Sequence, residues 1–378
     1  MSRVRGTVLA AVLFLAPDTA HAQGRYANLS FSATQTYDSN LFAVPSSREP
    51  QRDVLFQLGP TIEIGQRSPA LTLVARYGLA AERYADQVTL NRALARQDST
   101  IELHHRTSRR IALDARASYL DTHSPQELNL ESGLVAARAH AKRFLTTSEM
   151  TYDWTRSARL KFDYTFTRDA LAGGVLSSAQ NGGVALEKNS AGRRSTARIV
   201  YHIRQFDFSG QRSEIWHVVT AGWSRALTRM TTFDIALGPR LSNDTIRPEI
   251  ATSLHHRLHR AEVSASYSRT QATAIGEGGS LEMQRFSVGL TRPIRRHMTL
   301  TARPSFMRGS REVGPVSVYA LDVEAAAHPR QGLAVVATGG LGWQKSTLGS
   351  RREEVPRRSL SIGLVATLPT KATTARRK

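Results

Sequence analysis

The sequence has no cysteine, few acidic residues and no apolar stretch long enough for a transmembrane helix. Without cysteine, the chain has no disulfide scaffold, thiolate metal site, cysteine nucleophile or acylated lipoprotein N-terminus. None of its apolar runs approaches the ~20 residues that a membrane-spanning helix needs. There are 31 Asp and Glu against 51 Lys and Arg, so the formal net charge is +20. Apolar residues make up 40% of the 378 positions, far more than a disordered chain carries.

The first 22 residues contain the parts of a secretory signal peptide. Arg3 and Arg5 form a basic start, residues 8–16 form a short apolar run, and Ala20 and Ala22 frame a small-x-small cleavage site. We therefore predict that residues 1–22 are removed on export. An exported protein does not meet nucleic acid, so the basic charge predicts a different partner.

Apolar and polar residues alternate with period two along the rest of the chain. Leu71, Leu73 and Tyr77, for example, alternate with Thr72 and Arg76, which predicts a strand with one apolar and one polar face. Pairs of such strands are joined by short turns, and longer polar segments separate the pairs. Counting them gives about 18 strands, an even number that favours a closed barrel. The sequence predicts an all-β fold, a single antiparallel up-and-down transmembrane barrel over residues 23–369, with a basic tail at 370–378.

The connections differ in length on the two sides of this barrel. The segments expected to be long lie on one side, at residues 38–52, 121–138, 170–181 and 346–357. Short periplasmic turns and longer extracellular loops are typical of bacterial outer-membrane barrels. Aromatic residues near strand ends predict two interfacial girdles; the members are Tyr84, Tyr119, Phe166, Phe206, Tyr267, Phe306 and Trp343 toward the loops, and Tyr152 and Trp154 toward a turn. A soluble sandwich or propeller also alternates, but without this regular succession of short and long connections.

Residues 36–42 read Thr-Tyr-Asp-Ser-Asn-Leu-Phe, directly after the first alternating strand. Together with the Thr/Ser-Arg turns, such as residues 227–232, this stretch resembles the outer-membrane β-barrel porin families associated with exopolysaccharide gene clusters. The resemblance implies an outer-membrane barrel that serves polysaccharide export, and it carries over no catalytic residue. Most such barrels end on an aromatic residue that the insertion machinery reads, whereas this chain ends its last strand near Leu368 and continues into the basic tail.

Strand parity assigns charged side chains of both signs to the barrel interior. The predicted lumen wall comprises Arg76, Arg116, Arg198, Arg204, Arg240, Arg285 and Arg303, with Asp114, Asp234 and Glu324 among the acids. Because the inward acids and bases nearly cancel, we expect a cross-paired polar wall without strong ion preference.

The excess positive charge lies at the short turns. The predicted anion contacts on this periplasmic rim are Arg106, Arg109, Arg110, Arg193, Arg194, Arg292, Arg295 and Arg296. A ring of this kind raises the local concentration of anions or attracts an acidic partner. The competing interpretation, that these are ordinary solvated turn arginines, fits the sequence equally well.

Catalytic and metal-binding patterns are lacking. His104 and His105 are adjacent on a strand and point to opposite faces, as do His255 and His256, and there is no nucleophile elbow or phosphate-binding loop. We therefore predict no enzyme activity, metal or cofactor, and expect as partners the outer-membrane lipid and the barrel-insertion machinery, with acidic polysaccharide and periplasmic export components as candidates. Two alternatives stay open: a general diffusion porin, and a plugged structural or adhesion barrel. Residues 121–140, with Leu128, Leu130, Leu134 and Val135, are the candidate plug.

Overall fold

The computed structural model describes residues 24–128, 138–190, 192, 194–242, 245–311, 314–348 and 351–369. These residues form a single 18-stranded antiparallel sheet. Its strands are β1 Gly24–Asp38, β2 Asp53–Arg67, β3 Leu71–Tyr84, β4 Arg92–Arg106, β5 Ile111–Thr122, β6 Ala141–Asp153, β7 Ala158–Leu171, β8 Ser177–Asn189, β9 Ser195–Phe208, β10 Glu214–Ala226, β11 Thr231–Ser242, β12 Thr245–Leu258, β13 Ala261–Ala272, β14 Leu281–Arg295, β15 Met298–Arg311, β16 Gly314–Arg330, β17 Leu333–Leu348 and β18 Arg351–Pro369. The predicted signal peptide, the basic tail and Arg193 lie outside the described residues.

Each strand pairs with its neighbours in the chain, and β1 also pairs with β18, so the sheet closes on itself. The closing ladder runs from Asn28 opposite Pro369 to Asp38 opposite Ser359. Closure satisfies the backbone groups of every strand and leaves no edge. The predicted fold, a closed antiparallel up-and-down barrel of 18 strands, is confirmed.

Helical structure is minor. In the described part of the chain it consists of two 3-10 turns, Val88–Leu90 and Pro125–Glu127. No helix among the described residues has the length and hydropathy required to cross a bilayer.

The barrel has two unlike ends. One end, here the loop rim, carries the connections at residues 39–52, 85–91, 123–140 and 273–280. The other end, the turn rim, carries only short turns together with the start of β1 and the end of β18.

Two of the expected long connections are wrong, because β7 reaches Leu171 and β17 pairs with β18 almost to its end, with Leu348 opposite Arg351. These strand ends are polar and extend beyond the apolar part of the wall. Their polar composition is typical of a loop, which is why the sequence predicted loops at these strand ends.

Outward-facing side chains are apolar over the middle of the strands. Leu58, Ile199 and Ile362 are 53%, 61% and 57% exposed, and many other large apolar side chains share their parity. A soluble protein rarely exposes a continuous apolar surface of this extent. Two aromatic residues assigned to the girdle face the other way: Tyr84 and Phe206 point inward and are buried, because near the loop rim the inward side chains are apolar.

Candidate functional site

The predicted lumen residues all lie on the inward parity of their strands. This set comprises Arg76, Arg116, Arg198, Arg204, Arg240, Arg285, Arg303, Asp114, Asp234 and Glu324. Several of them form ion pairs or stand beside an opposite charge. Arg204 and Arg240 share the carboxylate of Glu249, and Arg116 lies 3.5 Å from Glu102. Arg303 stands opposite Asp322 in the ladder between β15 and β16. The others are distributed around the wall, so the set is a lining and not a single site.

One side of the lining, from β4 to β8, is densely charged. Asp114, Glu149 and Asp163 stand directly opposite one another on β5, β6 and β7. The His104 ring lies 2.6 Å from Asp114, and the Lys161 ammonium lies 3.7 Å from Glu149. A histidine ring and a lysine ammonium therefore flank a row of three carboxylates, and the ammonium reduces the mutual repulsion of the acids. Sequence parity places these acids inside the barrel, but only the ladder register shows that they are neighbours.

A second side of the lining, formed by the middle of β17, β18, β1 and β2, carries hydroxyl groups and glycine. The Thr338 and Ser361 hydroxyls are 2.6 Å apart, and those of Ser30 and Thr367 are 3.0 Å apart. Ser32 donates to the Gly59 carbonyl oxygen at 3.1 Å. The interior therefore has a charged face and a neutral hydrogen-bonding face, both of which favour water over lipid.

The interior changes character at the loop rim, where buried apolar side chains fill it. They form four clusters. The members are Ala272, Ala274, Leu281, Met283, Met307, Val316 and Val318; Leu41, Leu55 and Tyr84; Leu128, Ala141 and Ile275; and Phe206, Phe208 and Trp216. Apolar side chains therefore pack inside the barrel at this end, and polar side chains line the rest.

The described end of the β5–β6 connection, at Arg138, is held at the loop rim by a buried ion pair. The Arg138 guanidinium lies 2.6 Å from a Glu82 carboxylate oxygen, and their side chains are 11% and 1% exposed. The same guanidinium lies 4.9 Å from the Tyr84 ring centroid, and the Tyr84 hydroxyl donates to Glu82 at 2.7 Å. We call Glu82, Tyr84 and Arg138 the latch. A second and more exposed pair, Arg96 with Glu127 at 3.0 Å, fixes the start of the same connection.

Connections from β5–β6, β7–β8 and β13–β14 meet over the interior. Leu128, from the β5–β6 connection, packs against Ile275 of the β13–β14 connection, and Gly276 forms a bridge with Val175. Beneath them lies a cavity of about 570 Å³ whose lining includes Leu128, Phe206 and Arg204. Of the predicted plug residues, Leu128 is buried in this position, whereas Leu130, Leu134 and Val135 lie outside the described residues.

A buried cationic brace stiffens the wall beside this cavity. Arg240 has no exposed surface; it bonds to Glu249 at 2.8 Å and lies 5.3 Å from the Trp216 ring centroid. Arg204 reaches the same carboxylate at 3.0 Å, and Thr270 donates to it at 2.7 Å. Buried charges are tolerated only when they are paired and hydrogen-bonded, so these arginines connect β9, β11, β12 and β13 and are not free to bind a solute.

The turn-rim arginines occupy separate turns. Arg106, Arg109 and Arg110 lie at the β4–β5 turn, Arg194 at the β8–β9 turn, and Arg292, Arg295 and Arg296 at the β14–β15 turn on the far side of the barrel. Arg110 also lines a concavity of about 520 Å³ with Trp154, Arg156 and Asn189. Arg292 lies two residues after the outward-facing Leu290 and stands opposite Leu300. Its side chain therefore points outward, away from the opening of the barrel.

The segment that resembles the porin families anchors the β1–β2 connection. Asp38 is buried in an ion pair with Arg357. Asn40 donates to the carbonyl oxygens of Val44 and Pro356, each at 2.9 Å. Its own side-chain oxygen accepts from the Val44 amide at 3.0 Å. These contacts give the polar residues of the segment a structural role at the loop rim.

No group of three or more His, Asp or Glu side chains among the described residues has the arrangement of a metal site.

Comparisons with known proteins give a likeness of fold only. No family model matches this chain. No curated protein matches it either. Among solved structures, OccAB3 of Acinetobacter baumannii is 8% identical with a TM-score of 0.50, and the match covers 92% of this chain and 99% of that one. OccK11 (OpdR) of Pseudomonas aeruginosa is 11% identical with a TM-score of 0.50, covering 92% and 96% of the two chains. The chain therefore has the fold of the outer-membrane porin barrels.

Proposed function

We propose that this chain is an outer-membrane pore through which polar solutes cross, with no catalytic activity of its own. The observation that carries the proposal is the two-faced wall: Ile199 on β9 is largely exposed on the outside, while its neighbours Arg198 and His202 point inward. An apolar outer band matches lipid, and a barrel of this strand number leaves an aqueous channel. The partners that follow are outer-membrane lipid and the barrel-insertion machinery.

The loop rim faces outward from the cell in this proposal, and the turn rim faces the periplasm. Longer connections on the outer side and short turns on the inner side are the usual arrangement. The predicted signal peptide at residues 1–22 supports export to this membrane.

Passage is limited at the loop rim. Leu128 and Ile275 pack across the interior there, and the latch holds the β5–β6 connection in place. The pore therefore admits small polar solutes, or it waits for the β5–β6 connection to move. A permanently plugged structural barrel is the limiting case, in which this connection never moves.

Polysaccharide export is the narrower proposal for the cargo. It is supported by the resemblance of residues 36–42 and by the neutral hydroxyl-lined face, which suits a polyhydroxylated chain. General diffusion of small solutes fits the same geometry. The turn-rim arginines, chiefly Arg295 and Arg296, are proposed to concentrate anions such as an acidic polysaccharide.

The test is conductance of the purified, refolded barrel in a planar bilayer, followed by liposome swelling with sugars of increasing length. A porin conducts alone and admits mono- and disaccharides. An export component passes longer oligosaccharides once the latch is broken or a periplasmic partner binds. A barrel that stays silent both as wild type and with the latch removed is a structural barrel, and the proposal is then wrong.

A further inference from the structure

Five aromatic side chains form a continuous row on the outside of the barrel. They occupy directly opposed positions on successive strands, β13 to β17, and are Tyr267, Phe286, Phe306, Tyr319 and Trp343. Phe286, Tyr319 and Trp343 are among the exposed large apolar residues of the wall. Aromatic side chains in this position mark the boundary between hydrocarbon and headgroups.

A polar row follows this aromatic row, two residues closer to the loop rim. Its members are Arg269, Gln284, Arg308, Ser317 and Lys345, again directly opposed across the ladders. Two residues of strand correspond to about 7 Å. The polar row therefore stands at the height of lipid headgroups if the aromatic row marks the edge of the hydrocarbon.

The two rows meet in a concavity of about 370 Å³ on the outer wall. Phe306 and Tyr319 form its floor, with ring centroids 4.9 Å apart, and Arg308, Ser317 and Lys345 form its upper side. Arg308 and Lys345 are separated by one intervening strand, which places their backbones about 10 Å apart. Side chains of this length converge on one group between them.

The two cations are available to a ligand. Arg308 is exposed and forms no ion pair within the part of the chain that the structure describes. The Lys345 ammonium lies 3.2 Å from Glu354, and both side chains are substantially exposed. An exposed pair of this kind is weakly held, so a stronger anion displaces it.

We propose that this concavity binds the phosphorylated headgroup of a lipid in the leaflet at the loop rim. Arginine and lysine on either side of a phosphate provide charge-assisted hydrogen bonds, and the Ser317 hydroxyl donates a further one. The aromatic floor favours a lipid over free phosphate, because it continues into the apolar wall on which acyl chains lie. The inference rests on the membrane placement proposed above, but it does not depend on whether the pore conducts.

The test compares two charge-matched double variants in detergent. R308Q/K345Q removes the cations of the concavity. R168Q/K142Q removes an exposed arginine on β7 and an ion-paired lysine on β6 that face outward at the same rim but do not line this concavity. Native mass spectrometry measures binding of diphosphorylated lipid A, with the dephosphorylated lipid and inorganic phosphate as further probes.

The wild type is expected to retain diphosphorylated lipid A and to lose it when the phosphates are removed. Each interfacial cation contributes about fivefold to affinity, so R308Q/K345Q should bind about 25-fold more weakly, and R168Q/K142Q should bind like the wild type. Equal weakening by both variants, no binding by the wild type, or complete competition by millimolar inorganic phosphate would each overturn the inference. Bilayer conductance of the same samples tests the proposed pore separately, because a conducting wild type without lipid binding refutes only the lipid site.

Discussion

Removal of the Arg138 side chain should release the β5–β6 connection from the interior. In R138A the Glu82 carboxylate keeps its hydrogen bonds from Gln57 and Tyr84, both at 2.7 Å, but loses its only charged partner recorded among the described residues. Breaking a buried ion pair by removing one partner costs about 3–5 kcal/mol. Because those two hydrogen bonds remain, we expect a cost near the lower end of this range. The ratio of the closed to the open state of the β5–β6 connection then falls by a factor of about 100.

Single-channel recording in a planar bilayer measures this ratio directly. The wild type should spend most of its time in a low-conductance state, and R138A should spend most of its time in a higher one. R96A is the matched control, since Arg96 holds the same connection through a pair whose side chains are about one-third exposed. An exposed pair contributes about 1 kcal/mol at most, so R96A should change the occupancies less than tenfold. Heat-modifiable gel migration shows whether each variant is folded.

The double variant E82Q/R138Q separates the ion pair from simple loss of packing. Two neutral amides can still hydrogen-bond, and no buried charge is left without a partner, so the double variant should close more often than R138A. If R138A, R96A and the wild type show the same conductance states, the β5–β6 connection does not control the pore and the latch is only a structural contact.

Two further predictions concern the wall and the turn rim. L113R places a charge on the lipid face and should cost about 2–4 kcal/mol in a refolding titration, whereas A112R on the inward face should cost far less; equal costs would mean that the face assignment is wrong. Replacement of Arg295 and Arg296 by Gln should reduce anion preference, seen as a shift in reversal potential at low salt that fades as screening shortens to about 8 Å. An unchanged reversal potential at low salt would make them solvated turn residues.

Period-two alternation was sufficient to predict the strands, because a wall with lipid on one side and water on the other must alternate. It was insufficient wherever that contrast disappears. Near the loop rim some inward side chains are apolar, so the sequence predicted girdle positions for Tyr84 and Phe206 although they are buried inside. At the ends of β17 and β18, beyond the lipid band, both faces are polar. The sequence therefore predicted a loop there, although the two strands stay paired up to Leu348 and Arg351.

The contacts that hold the end of the β5–β6 connection at the loop rim were not predictable from the sequence. Glu82 and Arg138 are separated by 56 positions, and no local pattern marks either of them. The sequence also does not show which inward positions are buried. Ala236 and Thr301 have inward parity, which predicts that they tolerate a charged side chain, yet they are only 9% and 7% exposed. An arginine at either position would be buried and costly, which is why Ala112 is the better inward control.

The segment at residues 36–42 offers a last prediction, because its resemblance and its structure suggest different roles. Asn40 is buried and joins β1 to β18 through the Pro356 carbonyl oxygen, 316 positions away. N40A leaves two carbonyl oxygens and one amide without their partner, at about 1–3 kcal/mol for each buried group left unsatisfied. If the segment is an anchor, N40A should lower the temperature of the heat-modifiable transition and leave solute selectivity in liposome swelling unchanged. Altered oligosaccharide uptake by a variant of unchanged stability would show instead that the segment contacts the cargo.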